Sequence, residues 1–560
     1  MTTSVYDAVV VGSGINGLVA AAELAGAGWS VCLAEANGQL GGFIASDEST
    51  EPGYIHDTYS SWHPLFLTGG AYAALGDDLA RHGLAYCNTD DLVTGSVAAD
   101  GRTTIGYRDP AKTAAGFSVK GDAGRYLAML DRLDGDMDSI GQLLGSELRG
   151  PSPLRPLANI VRRGGRAGAE RWARDVVTSG RAFTRREFDG PEVDHLWVPW
   201  LLHAGLAPDN ASGGLMLPLF AGTFHAAGLP VVKGGAGRFV QAFEKLLRER
   251  GVDVRTGATV ERIVTSGARA VAVETGSERI RATRAILTSV TPGALYGDLL
   301  PQAASADAVR LEAARYRYGR AAMQVHVALS KPLTWSNSLL DQVPLVHLSD
   351  GSASTAVACA EAEAGLLPRR PTVVVGQQYI LDPSRVPAGR ASLWLQLQEL
   401  PYRPRGDSAG ELDVTGGWTP ALVQGYTDRV LGLLERHARG VRASVLAVKA
   451  LSPLDLESAN RNAVNGDPYS GSGELDQNLL WRPGPRTGRH RTGVPGLWHI
   501  GASTHPGPGL GGGSGHLVAR ALLAPSGPQM PAGRWLVAQG SAISRAGRMR
   551  PRRLEHRSES

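Results

Sequence analysis

The chain has 560 residues, 43% hydrophobic and 20% charged; that is too long for one hydrophobic core and too apolar for a disordered chain, so two or more globular domains are expected. The formal net charge of +4 is concentrated: residues 534–560 hold seven Arg against two Glu, which leaves the rest at −1. A nucleic-acid-binding surface spread over the chain is thereby excluded, and no nucleic-acid partner is expected. Arginine outnumbers lysine 51 to 6, which in so Ala- and Gly-rich a chain reads as compositional bias before phosphate recognition. Cys32, Cys87 and Cys359 fit neither a disulfide nor a zinc pattern, so no metal site and a reducing, cytoplasmic setting are expected. MTTSVYDAVVVG lacks the basic start of a signal peptide, and no uninterrupted apolar run reaches the roughly 18 residues of a spanning helix.

The first predicted element is a strand over Tyr6–Val11, followed at once by Gly12-Ser-Gly14-Ile15-Asn16-Gly17, a small-residue helix and a second strand that ends at Glu35. Each part has a physical task. Gly12 permits the tight turn, Gly14 lets backbone approach a pyrophosphate, and Gly17 lets helix and strand pack closely. The helix N-terminus offers free N–H groups and the positive end of its dipole. Glu35 accepts from ribose hydroxyls. Strand, turn, helix, strand and acid in this order predict dinucleotide binding by Gly12, Gly14, Ile15, Asn16, Gly17, Glu35 and Ala36.

Behind Glu35 runs ANGQLGG, with the doublet Gly41-Gly42. At this point the chain resembles the FAD-binding amine oxidase and phytoene desaturase superfamily, in which such a doublet follows the ribose acid. The family often carries Arg next; here Phe43 stands there. PGYIHDTYSSWHP (52–64) resembles the family loop beside the flavin, which makes His56, Asp57 and His63 candidates for proton handling or for simple hydrogen bonding.

Residues 153–186 carry nine Arg and Trp172 in a predicted helical region. A solvated helix face and a peripheral membrane patch are both open readings. LWVPWLLHAGL (196–206) predicts core or tunnel lining, with a membrane-dipping element as the other reading. From Gly228 the order glycine turn, amphipathic helix, strand resembles the family segment that passes under the adenine, with Val260 in the matching place. RAAMQVHVALSKPLTW (320–335) resembles the strand in which flavin amine oxidases carry a lysine near the flavin. Met323 and Gln324 occupy that place here, and Lys331 falls in the following turn, which lowers the expectation of amine oxidation.

HIGASTHPGPGLGGGSGH (499–516) carries seven glycines between an apolar strand and a periodic helix, which a linker does not. With Gly466-Asp467-Pro468, Asp476-Gln477 and Arg482-Pro483 it resembles the C-terminus of phytoene desaturase-like FAD oxidoreductases, in the branch of the pyridine nucleotide-disulfide oxidoreductase domain-containing proteins. The resemblance implies that Gly501, Gly511 and Gly512 wrap the flavin. His505 either shuttles a proton or shapes the turn.

The fold class expected is α/β: a Rossmann-like FAD-binding domain assembled from 1–100, 225–300 and 450–525, a mixed α+β substrate domain from 101–224 and 301–449, and a basic disordered tail over 526–560. The resemblance implies an FAD-dependent dehydrogenase or desaturase of a hydrophobic, polyene- or lipid-like small molecule, with hydride passing to flavin and oxygen or a quinone as terminal acceptor. A redox-neutral polyene isomerase and a lipid-binding escort of the GDP-dissociation-inhibitor type are the alternatives. Peripheral membrane association belongs to the same expectation, and the oligomeric state is left open.

Overall fold

The computed structural model describes residues 2–276 and 278–524; the tail expected over 526–560 lies outside them. Two seven-stranded sheets organise the chain. Their strands, in chain order, are β1 (Thr2–Val11), β2 (Val31–Ala34), β3 (Leu92–Val97), β4 (Thr103–Tyr107), β5 (Asp253–Arg255), β6 (Val260–Ser266), β7 (Arg269–Thr275), β8 (Glu278–Thr288), β9 (Ala321–Leu329), β10 (Leu345–Leu348), β11 (Val373–Gly376), β12 (Ala391–Leu400), β13 (Val445–Leu451) and β14 (Leu497–His499).

The first sheet runs β6-β7-β8-β1-β2-β5, and β14 adds to the far end of β8. Its centre is parallel: β1 pairs with β2 and β8, β2 with β5, and β8 with β14. Such strands are covered on both faces, which is why AVVV and VCLA are continuous apolar runs. Helix α1 (Ile15–Gly26) covers one face with Leu18, Val19, Ala20, Ala21, Ala22 and Leu24, all buried. Its alanines allow close approach to β1. Beside it pack α4 (Gly237–Glu249), through Phe239, Phe243, Leu246 and Leu247, and α6 (Gly513–Leu523), through Val518 and Ala519. Each of the leucines contributes about 1.5–3 kcal/mol by leaving water.

The second sheet runs β13-β9-β12-β11-β10-β3-β4 and is antiparallel apart from the β3–β10 pair. One of its faces is aliphatic. Val325, Val327, Leu393, Leu395, Leu397, Val373, Val375 and Val346 pack there with α5 (Pro420–Glu435). On the other face Leu345, Val374 and Trp394 pack with Tyr126 and Met129 of the long α2 (Lys120–Leu144) and with Trp200 and Leu201 of a short helical turn over Val198–Ala204, while α3 (Leu154–Val177) packs on α2. The helix expected among the arginines of 153–186 is α3, kinked at Gly165 where φ is +63°. Among the described residues no helix is long and apolar enough to cross a membrane.

The expected boundary at residues 100/101 needs correction. It cuts the hairpin of β3 and β4, whose Gly95↔Ile105 and Val97↔Thr103 pairs put both strands in the second sheet. The turn Ala98–Arg102 closes locally, with Ala98 N–H donating to the Arg102 carbonyl, so residues 92–107 act as one unit.

Candidate functional site

The turn between β1 and α1 forms a concave backbone surface. Gly12 has φ +92°, which a side chain rarely tolerates. Gly17 packs against it: a Cβ on Gly17 would collide with the Gly12 carbonyl oxygen. Gly14 is different. A Cβ there would meet no atom within 4 Å, so this glycine borders open space. Helix α1 begins at Gly14 without a side-chain cap. Its first N–H groups therefore suit an external anion, and the dipole favours one.

Glu35 ends β2 at the rim of this turn. Its Oε2 accepts from the Ser13 N–H at 2.8 Å and the Ser13 hydroxyl at 2.6 Å, and its Oε1 accepts from the Asn37 N–H at 2.8 Å. The carboxylate is thus fixed at the mouth of the turn between β1 and α1. The Glu35 N–H donates to the Arg255 carbonyl, and the Ala258 N–H to the Glu35 carbonyl. These bonds set the chain entering Val260 beside Glu35 and the half-buried Ala36. Gly41 and Gly42 close the other side, with φ of +110° and +59°. Gly41 N–H donates to the Ser13 carbonyl, and a Cβ on Gly42 would stand 3.3 Å from the Gly14 Cα.

The C-terminal glycine stretch meets the N-terminal one. β14 extends the first sheet beside β8, and Ile500 N–H donates to the Thr288 carbonyl. Gly501, at φ +106°, turns the chain, and its N–H donates to Ser514 Oγ. Gly512, at φ +67°, starts α6 without a side-chain cap from its own loop. Asn16 reaches across instead: its Oδ1 accepts from the Gly515 N–H at 3.1 Å. The two helix N-termini are held together, and Asn16 spends its side chain on that clamp. A Cβ on Gly512 would press on Val19, and one on Gly511 would stand 3.3 Å from the Leu65 carbonyl.

His505 is buried in this turn. Its Nε2–H points at the carbonyls of Leu144 (3.1 Å) and Leu143 (3.3 Å), which end α2. Burial pushes its pKa down to about 4, so the ring is neutral, and its Nδ1 has no partner among the described residues. His56 is buried, 2.7 Å from Thr50 Oγ1 and 4.9 Å ring to ring from His326. Burial and the neighbouring His326 push its pKa down to about 3. Among the described residues, His56 and His505 share no hydrogen-bond or ring partner.

Several residues escaped the sequence reading. Arg385 is buried, pairs with Asp57 at 2.7 Å, and donates to the Val232 carbonyl at 2.6 Å. Asp57 also accepts from Ala236 N–H and Ser61 Oγ–H. This cluster ties the 52–64 loop to the chain entering α4. Arg482 is buried and donates to the carbonyls of Ala502, Ser472 and Tyr469. Asn462 donates to the Ser289 carbonyl at 2.8 Å, next to Gly12. Of these only Arg482 and its neighbour Asp467 had a signal, as members of the C-terminal motif. Phe43 packs its ring on Tyr59, and Lys331 is exposed.

A model of the flavin containing amine oxidoreductase family matches residues 15–390. The chain is 27% identical to pyridine nucleotide-disulfide oxidoreductase domain-containing protein 2 of Rattus norvegicus, over 92% of this chain and 94% of that protein. It is 24% identical to 4,4'-diapolycopene oxygenase of a Methylomonas species, over 90% and 94% of the two chains. The crystal structure of an oxidoreductase from Methanosarcina mazei superposes with a TM-score of 0.59 at 15% identity, covering 93% of this chain and all of that one.

Proposed function

The chain belongs to the flavin containing amine oxidoreductase family, and from that premise we propose that it removes two hydrogens from adjacent carbons of a lipophilic, polyene- or lipid-like molecule. That it is an FAD-dependent oxidoreductase follows from the family; the bond it oxidises is the inference. The supporting observation is the meeting of two helix N-termini, uncapped α1 and α6, whose Gly515 N–H is taken by Asn16, beside the open face of Gly14. The residues present fit FAD: α1 and Gly14 for the pyrophosphate, Glu35 for a ribose, the chain at Val260 for the adenine, and the Gly501–Gly512 turn for the flavin ring. Bound FAD supplies a two-electron hydride acceptor. The N-terminus of α6 favours negative charge there.

The place of the amine-oxidase lysine is taken by neutral groups, Met323 and Gln324, both buried, which supports C–H rather than amine oxidation. The substrate loses a hydride and, from the neighbouring carbon, a proton to a base or water; a carbon–carbon double bond forms, and oxygen or a quinone collects the electrons. His505 and His56 enter as neutral residues that shape the turn and the loop. The test is anaerobic: purified holoprotein is mixed with candidate lipophiles while the visible flavin band is followed. Bleaching with formation of a product two hydrogens lighter is expected. Isomerised product with an unchanged flavin would overturn the desaturase reading.

We also propose that substrate arrives from a membrane surface. The first half of α3 exposes Leu154, Leu157 and Val161, at helical spacing, between Arg155, Arg162, Arg163 and Arg166. A basic face with apolar residues beside it suits anionic headgroups. Co-sedimentation with anionic vesicles, lost on changing the three apolar residues to Ser, is the expected result; equal binding of the variant would sink it.

A further inference from the structure

The face of the second sheet opposite its aliphatic side carries a line of residues that no single stretch of sequence displays. Ser96 of β3 stands opposite His347 of β10, His347 opposite Val374 of β11, Val374 opposite Gln396 of β12, and Gln396 opposite Gln324 of β9. Opposed residues share a face of a sheet, so one line across five strands is polar at four positions. Ser96, His347 and Gln324 are buried. Ser96 Oγ, His347 Nδ1 and Gln324 Nε2 have no partner among the described residues.

Two indoles flank the line. Trp394 lies two residues before Gln396 on β12 and so points to the same face. Trp200, from the Val198–Ala204 turn, covers His347 with ring centroids 4.9 Å apart. Both are buried, and neither Nε1–H has an acceptor among the described residues. An unsatisfied buried donor is destabilising, and native proteins hold few. Several on one face point to a molecule that brings acceptors, because an indole N–H can only donate.

The charge of that molecule is constrained too. None of the five residues in the line is ionised at neutral pH. His203 Nε2 and His347 Nε2 lie 3.2 Å apart, so one ring donates to the other and both are neutral; burial holds both below the usual histidine range. A carboxylate or ammonium buried against these five residues would find no counter-charge among them, which is costly. The Gln324 end adjoins the loop that leads away from Gly41-Gly42: His326, two residues on, lies 3.1 Å from the Thr58 carbonyl through its Nε2.

We propose that this face is the substrate floor and that the substrate is a neutral lipophile whose hydroxyl or carbonyl oxygen accepts from the N–H groups of Trp394, Trp200 and Gln324, rather than a bare hydrocarbon or a carboxylate. The proposal rests on the lipophilic-substrate reading above and narrows it.

The test uses the flavin-loaded protein and a polyene series of one chain length: hydrocarbon, alcohol, aldehyde and carboxylate, in one detergent. Binding is followed by tryptophan emission, and flavin content by its visible band in the same samples. The alcohol or aldehyde is expected to bind about ten-fold more tightly than the hydrocarbon and the carboxylate. Trp394→Phe and Gln324→Leu, each retaining flavin, should remove most of that preference by lowering alcohol and aldehyde binding toward the level of the hydrocarbon in the same variant. The proposal is overturned if hydrocarbon or carboxylate binds as well as the oxygenated members, if no member binds, or if the variants weaken all members alike. Wild-type protein without flavin would instead overturn the cofactor reading, whatever the binding preference.

Discussion

The two sheets carry their chemistry in different places. The first carries it at its turns, in backbone: Gly12, Gly14, Gly17, Gly41 and Gly501 are valuable for the side chains they lack. The second carries it on a face, in side chains that one strand after another contributes singly. Backbone recognition needs a short run of residues in fixed conformations, so it is local. A side-chain face needs register between strands far apart in sequence, so it is tertiary. The difference shows in what a substitution should do in each region.

The largest effect is expected at Gly17. Valine there would meet the Gly12 carbonyl, which cannot rotate away, so Gly17→Val should cost about 3 kcal/mol or more and abolish flavin retention, read by thermal melting and the visible band. Gly14→Val should separate the two consequences. Nothing in the chain lies within 4 Å of its Cβ position, and φ −58° suits any residue. Stability should hold to within about 1 kcal/mol while the flavin is lost. Full flavin content in this variant would refute the phosphate assignment.

On the second sheet the corresponding cut is Leu395→Ala, in the aliphatic face with no exposed surface. It should cost about 2–5 kcal/mol in chemical denaturation and leave flavin affinity of the remaining folded protein unchanged. Loss of flavin at equal stability would mean that the two regions are not separable.

Acid sharpens the comparison further. Burial lowers His203 and His56 to about 3 and His326, His63, His499 and His505 to about 4. Their unfolded pKa is near 6.5, so below that value the unfolded chain binds more protons and stability falls as pH drops toward 4. Each histidine removes about 1.4 kcal/mol per pH unit in that window. The melting temperature should be flat above about pH 7 and fall steeply below pH 6. A flat profile down to pH 4 would show that these rings are not buried and neutral. The smallest effect belongs to the surface. Arg81 pairs with Asp78 at 2.7 Å but its side chain is 62% exposed, so Arg81→Ala should change stability by less than about 0.5 kcal/mol.

Much of the first region was legible. GSGING, the acid at Glu35, the Gly41-Gly42 doublet and the glycine stretch after His499 all appear in the first sheet's turns, because positive φ, helix starts and strand ends leave signatures within a few residues. The rest was not. The ion pair of Asp57 and Arg385 joins positions 328 residues apart, and neither residue announces the other. The boundary at residues 100/101 separated β3 from its hairpin partner β4, because a short strand does not say which sheet it will join. Asn16 sat inside a phosphate motif yet clamps α6, a contact made only once residues 16 and 515 are neighbours.

The sequence by itself therefore determined the kind of fold and the binding of a dinucleotide, since both rest on short-range backbone geometry that particular residues permit or forbid; that the dinucleotide is FAD came from the resemblance of its motifs to a family. Tertiary structure alone decided which way His505 points, which residues line the second sheet's buried face, and that Ser96, His347, Gln396 and Gln324 form one line. Those facts depend on strand register, and register is fixed by the whole core's packing rather than by any one stretch of chain.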